Sequence, residues 1–157
     1  MISDSTNDDR GFLEKARRAL PIGVPFGSVD EAISLVQIAF VLNDFKPIDV
    51  AIIDHAKMLD HSMGAGDQSP SPVGQYIAYN DPRSAIDVGR FILGLGGIVD
   101  SVWFLGCKFA ASPRGPLFMQ ELATGLGAPV SAYTGETYFS NIGFYVEQNA
   151  TLVTVNP

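Results

Sequence analysis

The chain has one cysteine, few charged residues and no long hydrophobic run. A single cysteine among 157 residues excludes a disulfide-stapled scaffold. Charged residues make up 17% and hydrophobic residues 46% of the chain, which excludes intrinsic disorder because disorder requires low hydrophobicity and high net charge. The longest apolar runs, 48–53 and 99–105, are much shorter than the roughly 20 residues that cross a bilayer, so we expect no membrane partner.

Basic residues are scarce as well. Ten Lys and Arg against 17 Asp and Glu give a formal net charge of −7 and a pI of about 4.6. No basic surface is available to neutralise phosphates, so we expect no nucleic-acid partner. The first ten residues are polar and acidic and do not resemble a signal peptide, and the single cysteine fits a reducing compartment. We therefore expect a cytoplasmic location.

The chain does have a positive mean hydropathy, +0.18, at a length typical of one domain. In a chain with few charges this value indicates strands covered on both faces, or a surface covered by a partner. We find no linker and no internal repeat. We predict one domain over 1–157, with an N-terminal helical extension over 1–20 and a C-terminal hairpin over 138–157.

Helical and strand patterns alternate along the chain. Apolar spacing predicts helices over 11–20, from Ser28 to about Asn43, from Asp81-Pro82 to the glycines at 94–97, and from Ser112-Pro113 to Gly127. Apolar runs predict strands over 48–53, 99–105 and 129–133, each covered on both faces, and alternation over 138–155 predicts an antiparallel hairpin. Helices between strands imply right-handed crossovers. We predict an α/β fold of three layers, with a mostly parallel sheet between helices and a C-terminal β-hairpin.

Two of the predicted strands end in reactive side chains. The strand over 48–53 leads into His55, and the strand over 99–105 leads into Gly106 and Cys107. The carboxyl ends of parallel strands share one edge of the sheet, so neighbouring strands would bring the imidazole and the thiol together. An imidazole beside a thiol helps to form the nucleophilic thiolate. The simpler interpretation is a small buried cysteine and a histidine that hydrogen-bonds a loop.

Other chemistry has weaker support in the sequence. Side chains that could ligate a metal are Asp54, His55, Asp60, His61 and Asp67. Their spacing matches no zinc pattern, so we expect no metal site and no cofactor. Three serines, Ser62, Ser69 and Ser71, lack the Gly-x-Ser-x-Gly turn of serine hydrolases. The glycines at 94–97 lie between a helix and a strand, which is typical of a helix stop and not of a phosphate loop.

The residues around the two strand ends resemble the caspase-like cysteine peptidases. The segments 50–55 (VAIIDH) and 102–107 (VWFLGC) are similar to the His-Gly and Gly-Cys pair of this superfamily, which includes caspases, gingipains, clostripain and self-cleaving toxin domains. A closer resemblance is to a bacterial domain of unknown function found in very large secreted or adhesin-like proteins. The similarity covers 21–137 and is most specific after Cys107. The matching residues there are Ala110, Ala111, Gly115, Phe118, Leu122, Ala123, Gly127, Ala128, Val130 and Ala132.

The resemblance implies a cysteine peptidase or related hydrolase that acts on a peptide or protein substrate. Cys107 would be the nucleophile, and His55 the general base or the proton donor to the leaving amine. The backbone of Ala56 and Gly106 would hold the oxyanion, because donors aimed at developing charge lower the barrier most. Ala56 stands where the family pattern has glycine, and the segment 57–64 also departs from that pattern.

The family's first core strand has no clear counterpart before Pro21 in this sequence. An incomplete sheet leaves an edge strand open to pairing with another chain, so we expect a homodimer or a larger homo-oligomer. Two further functions stay open. One is a catalytically inactive caspase-like domain that serves oligomerisation or protein binding. The other is a flavodoxin-like ligand-binding domain, for which no strand is followed by a phosphate loop.

Overall fold

A computed structural model describes residues 1–3, 12–19, 23–54, 63–64, 76–106, 108–140 and 143–157. The helices are α1 (Phe12–Ala19), α2 (Val29–Leu42), α3 (Ala85–Leu95) and α4 (Arg114–Leu126). The strands are β1 (Ile2–Ser3), β2 (Pro25–Phe26), β3 (Ile48–Ile52), β4 (Met63–Gly64), β5 (Tyr76–Ile77), β6 (Val99–Phe104), β7 (Val130–Tyr133), β8 (Thr137–Ser140), β9 (Gly143–Val146) and β10 (Leu152–Val155). No helix in these ranges is long and apolar enough to cross a membrane.

The main sheet has four strands in the order β10-β7-β6-β3. β3, β6 and β7 are parallel, and β10 pairs antiparallel with β7 at one edge. Helices flank this sheet, so the predicted α/β class with a mostly parallel sheet is confirmed. The three parallel strands lie within about one residue of their predicted bounds, because each coincides with a short, mostly apolar run. The division of the chain into domains stays a prediction.

One face of the sheet forms the core with α2, α3 and α4. The strand residues on this face alternate in sequence and are nearly inaccessible to solvent: Val50, Ile52, Val102, Phe104, Val130 and Ala132. This alternation follows from the period of two residues along a strand. The helices supply matching apolar stripes, with Val36, Phe91 and Phe118 among the buried side chains.

Within the described ranges, the second face is covered only near the carboxyl ends of the strands. There Ala16 of α1 packs with Ile53 and Phe139. Farther along the same face Asp49 is exposed, and Ser101 and Trp103 are half-buried. The Ser101 hydroxyl donates to Asp49 Oδ1 at 2.5 Å and accepts from Trp103 Nε1 at 3.1 Å. The prediction that β3 and β6 are buried on both faces is therefore wrong, because α2, α3 and α4 share one face.

Local sequence signals set most helix ends. Ser28 Oγ accepts from the Glu31 backbone nitrogen at 3.1 Å, as the capping pattern predicts. α4 ends at Gly127, whose left-handed conformation (φ 68°) suits a residue without a Cβ. The predicted start of α3 at Asp81-Pro82 is wrong, since the helix begins at Ala85. Asp81 instead binds the Arg83 side chain and its backbone nitrogen, which closes a turn ahead of the helix.

The two ends of the chain add short strands. β1 pairs parallel with β2, so residues 1–20 are not all helical. The Met1 nitrogen donates to Ala51 O at 2.6 Å, and Ile53 N donates to Met1 O at 2.9 Å. Met1 therefore lies beside the C-terminal end of β3, which is an edge strand of the main sheet. In the tail, β8 pairs antiparallel with β9, whereas β10 pairs with β7.

Candidate functional site

The carboxyl ends of β3 and β6 lie side by side. Ile52 is paired with Phe104 in the parallel register, and Leu105 N donates to Ile52 O at 2.9 Å. A dyad of His55 and Cys107 requires that the two strands leading to these residues are neighbours, and β3 and β6 meet this requirement. Both residues lie outside the described residues, and so does Ala56. Gly106 is described, and it is buried at a bend directly after β6.

Asp54 is the last described residue after β3, and it is only 1% exposed. A carboxylate buried to this degree needs compensating polar or charged interactions, since an uncompensated buried charge is very costly. The sequence marks Asp54 as a reactive side chain at the end of a predicted strand and as a possible metal ligand. Its burial directly before His55 makes it part of the candidate site, and a strand-terminal aspartate gives no sequence signal of burial.

The backbone on both sides of the Gly106-Cys107 dipeptide is held by the residues that follow β7. Thr137 Oγ1 donates to Leu105 O at 3.1 Å. Lys108 N donates to Gly135 O at 2.9 Å. One hydrogen bond thus fixes the residue before the dipeptide and another fixes the residue after it. Thr137 is buried, so water competes little for its hydroxyl.

A side-chain network reinforces the same contact. Lys108 Nζ forms an ion pair with Glu136 Oε1 at 3.1 Å, with the two side chains 37% and 35% exposed. The Tyr138 hydroxyl donates to Glu136 Oε2 at 2.5 Å. Lys108 has a φ of 56°, a left-handed conformation that costs about 1 kcal/mol for a residue with a side chain. The surrounding contacts hold this residue at a sharp turn directly after Cys107.

Phe109 attaches the segment that follows Cys107 to the hydrophobic core. Its ring is fully buried and stacks on Phe104, with ring centroids 4.7 Å apart and planes inclined by 8°. Phe118 of α4 packs on it at 5.9 Å. Ala110 N donates to Tyr133 O at 3.1 Å. Residues 105 and 108–110 are therefore fixed by β7, by α4 and by the segment after β7.

The predicted cap at Ser112 is present in a modified form. Ser112 Oγ accepts from Arg114 N at 3.2 Å, and α4 begins at Arg114.

The other predicted constellations lie mostly beyond the described residues. No group of three His, Cys, Asp or Glu side chains suited to a metal ion occurs within the ranges that the structure describes. Of the five potential metal ligands only Asp54 falls in those ranges, and Ser62, Ser69 and Ser71 lie outside them.

A separate cleft of about 560 Å³ lies between the segment after β5, the first half of α3 and α4. Tyr79, Asn80 and Asp81 line one side, and Val88 and Glu121 line the other. Asp54, Gly106 and Lys108 are not among its lining residues.

Comparison of the chain with protein-family models, with curated proteins and with solved structures finds no match.

Proposed function

We propose that the chain is a cysteine-dependent peptidase or related hydrolase of the caspase-like kind, with Cys107 as nucleophile and His55 as its acid–base partner. The substrate class is a peptide or protein, and no cofactor is required. A reducing cytoplasm would keep the Cys107 thiol available. The supporting observation is the parallel pairing of β3 with β6, which brings the strand that leads to His55 beside the strand that leads to Cys107.

The proposed chemistry needs a thiolate, a proton carrier and an oxyanion site. His55 accepts the Cys107 proton, the sulfur bonds to the substrate carbonyl carbon, and the carbonyl electrons move onto its oxygen. The C–N bond then breaks, and His55 gives the proton to the leaving amine. Water hydrolyses the thioester and restores the thiol. Backbone N–H groups around Gly106 and Ala56 are the proposed donors to the oxyanion.

Alkylation of Cys107 tests this proposal directly, because the chain has no other cysteine. We expect iodoacetamide at pH 7 to label Cys107 at least tenfold faster than a free thiol, and His55→Ala to slow that labelling about tenfold. The second histidine supplies a matched control, so His61→Ala should leave the rate unchanged. Cys107→Ser should abolish labelling. Slow labelling that does not depend on His55 would contradict the proposal.

A second candidate function is assembly, without catalysis, through α2. Four apolar side chains, Ile38, Val41, Leu42 and Phe45, are between 52% and 80% exposed. Ile38, Val41 and Leu42, spaced i, i+3 and i+4, lie on one side of α2, and Phe45 lies in the turn after the helix, where its φ is 57°. The inner side of the same helix is buried in the core, so α2 carries apolar side chains on two sides, one of them exposed.

A second copy of this chain is the occupant that this stripe (Ile38, Val41, Leu42 and Phe45) fits. Residues 32–43 carry no charge, whereas the chain as a whole has a net charge of −7. Two copies can therefore pair here without bringing like charges together, as they would over most of an acidic surface.

Sedimentation velocity tests the assembly proposal. We expect the chain to sediment as a dimer at micromolar concentration, and Leu42→Glu to convert it to a monomer of unchanged helix content. Leu117→Glu is the matched control, since Leu117 is an exposed leucine on α4. A dimer that survives Leu42→Glu, or a monomeric parent chain, would contradict it.

A further inference from the structure

Three consecutive residues after β7 contact the chain on both sides of Gly106-Cys107. Gly135 provides a carbonyl to Lys108 N, Glu136 provides a carboxylate to Lys108 Nζ, and Thr137 provides a hydroxyl to Leu105 O. We propose that this clasp, residues 135–137, positions the Cys107 thiol, and that Glu136 tunes its reactivity by binding the Lys108 ammonium. The proposal rests on the proposed role of Cys107 as a nucleophile.

The geometry explains why the clasp acts on this dipeptide. A glycine followed by a loop residue has many accessible conformations, and a nucleophile must be held in one of them. The clasp fixes residues 105 and 108, so only two residues remain between fixed points. The clasp is itself anchored, because Glu147 N donates to Glu136 O at 2.9 Å and Thr134 N donates to Thr151 O at 3.0 Å. Thr137 and Gly135 are thus backbone-positioning residues.

Glu136 has an electrostatic role in addition to the positioning role of the clasp. A cation beside a thiol favours the thiolate and lowers the thiol pKa. The Lys108 ammonium is the cation next to Cys107 in sequence, and Glu136 offsets its charge at 3.1 Å. Other described charged or titratable side chains on the elements around this loop include Glu14, Lys15 and Arg18 on α1, Asp54 after β3, Tyr133 on β7, Arg114 and Glu121 on α4, Tyr138 on β8, Tyr145 on β9 and Glu147 after β9. Removing the carboxylate should lower the thiol pKa, and removing the ammonium should raise it.

The experiment measures the Cys107 thiol pKa from the thiolate absorbance near 240 nm and from the pH dependence of iodoacetamide labelling. One cysteine gives one signal. We expect Glu136→Gln to raise the labelling rate below the pKa about threefold, and Lys108→Met to lower it about threefold. The double variant should return close to the parent rate. A merely structural role would move both single variants in the same direction, and that result, or no change in either, would overturn the proposal.

Three further variants keep the test decisive. Glu136→Asp retains the negative charge and should shift the pKa of the Cys107 thiol less than Glu136→Gln does. Glu136→Asp is the variant to use if Glu136→Gln does not fold. Thr137→Val keeps the shape of the side chain but removes the donor to Leu105 O, whereas Thr137→Ser restores it. We expect Thr137→Val to reduce the effect of His55→Ala on labelling, and Thr137→Ser to recover that effect. If the effect of His55→Ala on labelling is the same in Thr137→Val and Thr137→Ser, the positioning role of Thr137 is overturned.

The outcome is separable from that of the peptidase proposal. If His55→Ala leaves labelling unchanged, the peptidase proposal fails. Opposite shifts from Glu136→Gln and Lys108→Met would still establish the charge tuning by the clasp. If those shifts are absent while His55→Ala slows labelling, the clasp proposal alone fails.

Discussion

Ile52 of β3 and Phe104 of β6 are opposite one another in the parallel pairing, and both side chains are buried in the same core. His55 follows Ile52 by three positions, and Cys107 follows Phe104 by three positions. The two candidate catalytic residues therefore follow paired residues at equal distances along the chain. This equality links the core packing of the sheet to the proposed site, since a shift in the β3–β6 register would change the offset between them.

The stacked rings of Phe104 and Phe109 join the end of β6 to the loop that contains Cys107. Both rings are fully buried, so Phe109→Ala removes core packing and leaves a cavity. We expect it to lower the free energy of unfolding by about 3–5 kcal/mol in urea titrations. Phe45→Ala is the control, because that ring is 68% exposed, and it should cost less than about 1 kcal/mol. Equal costs at the two positions would contradict the burial of Phe109.

Gly115 of α4 is a glycine for steric reasons. A Cβ at this position would lie 2.4 Å from Phe109 O and 2.8 Å from Ala110 Cα, and both are backbone atoms that cannot move aside cheaply. We expect Gly115→Ala to lower the free energy of unfolding by about 1–3 kcal/mol. Gly89→Ala in α3 meets no atom within 4 Å and should raise it by about 0.5–1 kcal/mol. Thermal unfolding of the two variants should therefore move in opposite directions.

The helix and strand pattern could be predicted from the sequence because the signals are local. The capping residues at Ser28 and the apolar runs of β3 and β6 lie within the elements that they define. The sequence misplaces the start of α3, because Asp81 binds Arg83 instead of capping a helix. An aspartate suits either interaction, so the residue type alone does not distinguish them. An apolar run also does not reveal whether one face or two are covered, which is why Asp49 and Ser101 were placed in a buried strand.

From the sequence, the adjacency of the two candidate strands is only a condition for the dyad, and nothing in the sequence indicates the clasp. Thr137 and Leu105 are 32 positions apart, and neither residue type marks a catalytic loop. Their hydrogen bond exists only because β6 and β7 are neighbours and the chain turns back after β7. β10 pairs with β7 and not with β9, and this pairing also joins residues that are far apart in the sequence. Such contacts depend on the assembled sheet and leave no periodic pattern in the sequence.

The N-terminal cap of α2 provides a third test of the fold. Ser28→Ala removes the acceptor for Glu31 N and should lower the free energy of unfolding by about 1 kcal/mol. Ser34 lies within the same helix, and its hydroxyl donates to Asp30 O on the exposed side. Ser34→Ala should therefore change the unfolding free energy by less than about 0.5 kcal/mol. A larger loss at Ser34 than at Ser28 would show that the cap does not hold the helix start.

Gly135 lets the clasp approach the segment after β9. A Cβ on Gly135 would lie 2.6 Å from Ala150 Cβ and 3.0 Å from Glu147 Oε2. We expect Gly135→Ala to lower the free energy of unfolding by about 1–3 kcal/mol, because the segment must move away from Ala150. That movement pulls Gly135 O from Lys108 N, so the labelling rate of Cys107 should change as well.

A second substitution separates this steric effect from a general weakening of the turn. Ala150→Gly removes the Cβ that the new methyl group meets, so the double variant should recover more than half of the stability lost in Gly135→Ala. Ala150→Gly alone should cost about 0.5–1 kcal/mol through the greater freedom of the unfolded chain. Additive losses in the double variant would show that the two residues are not in contact. Recovery of both stability and labelling would tie the approach of Gly135 to Ala150 directly to the position of Cys107.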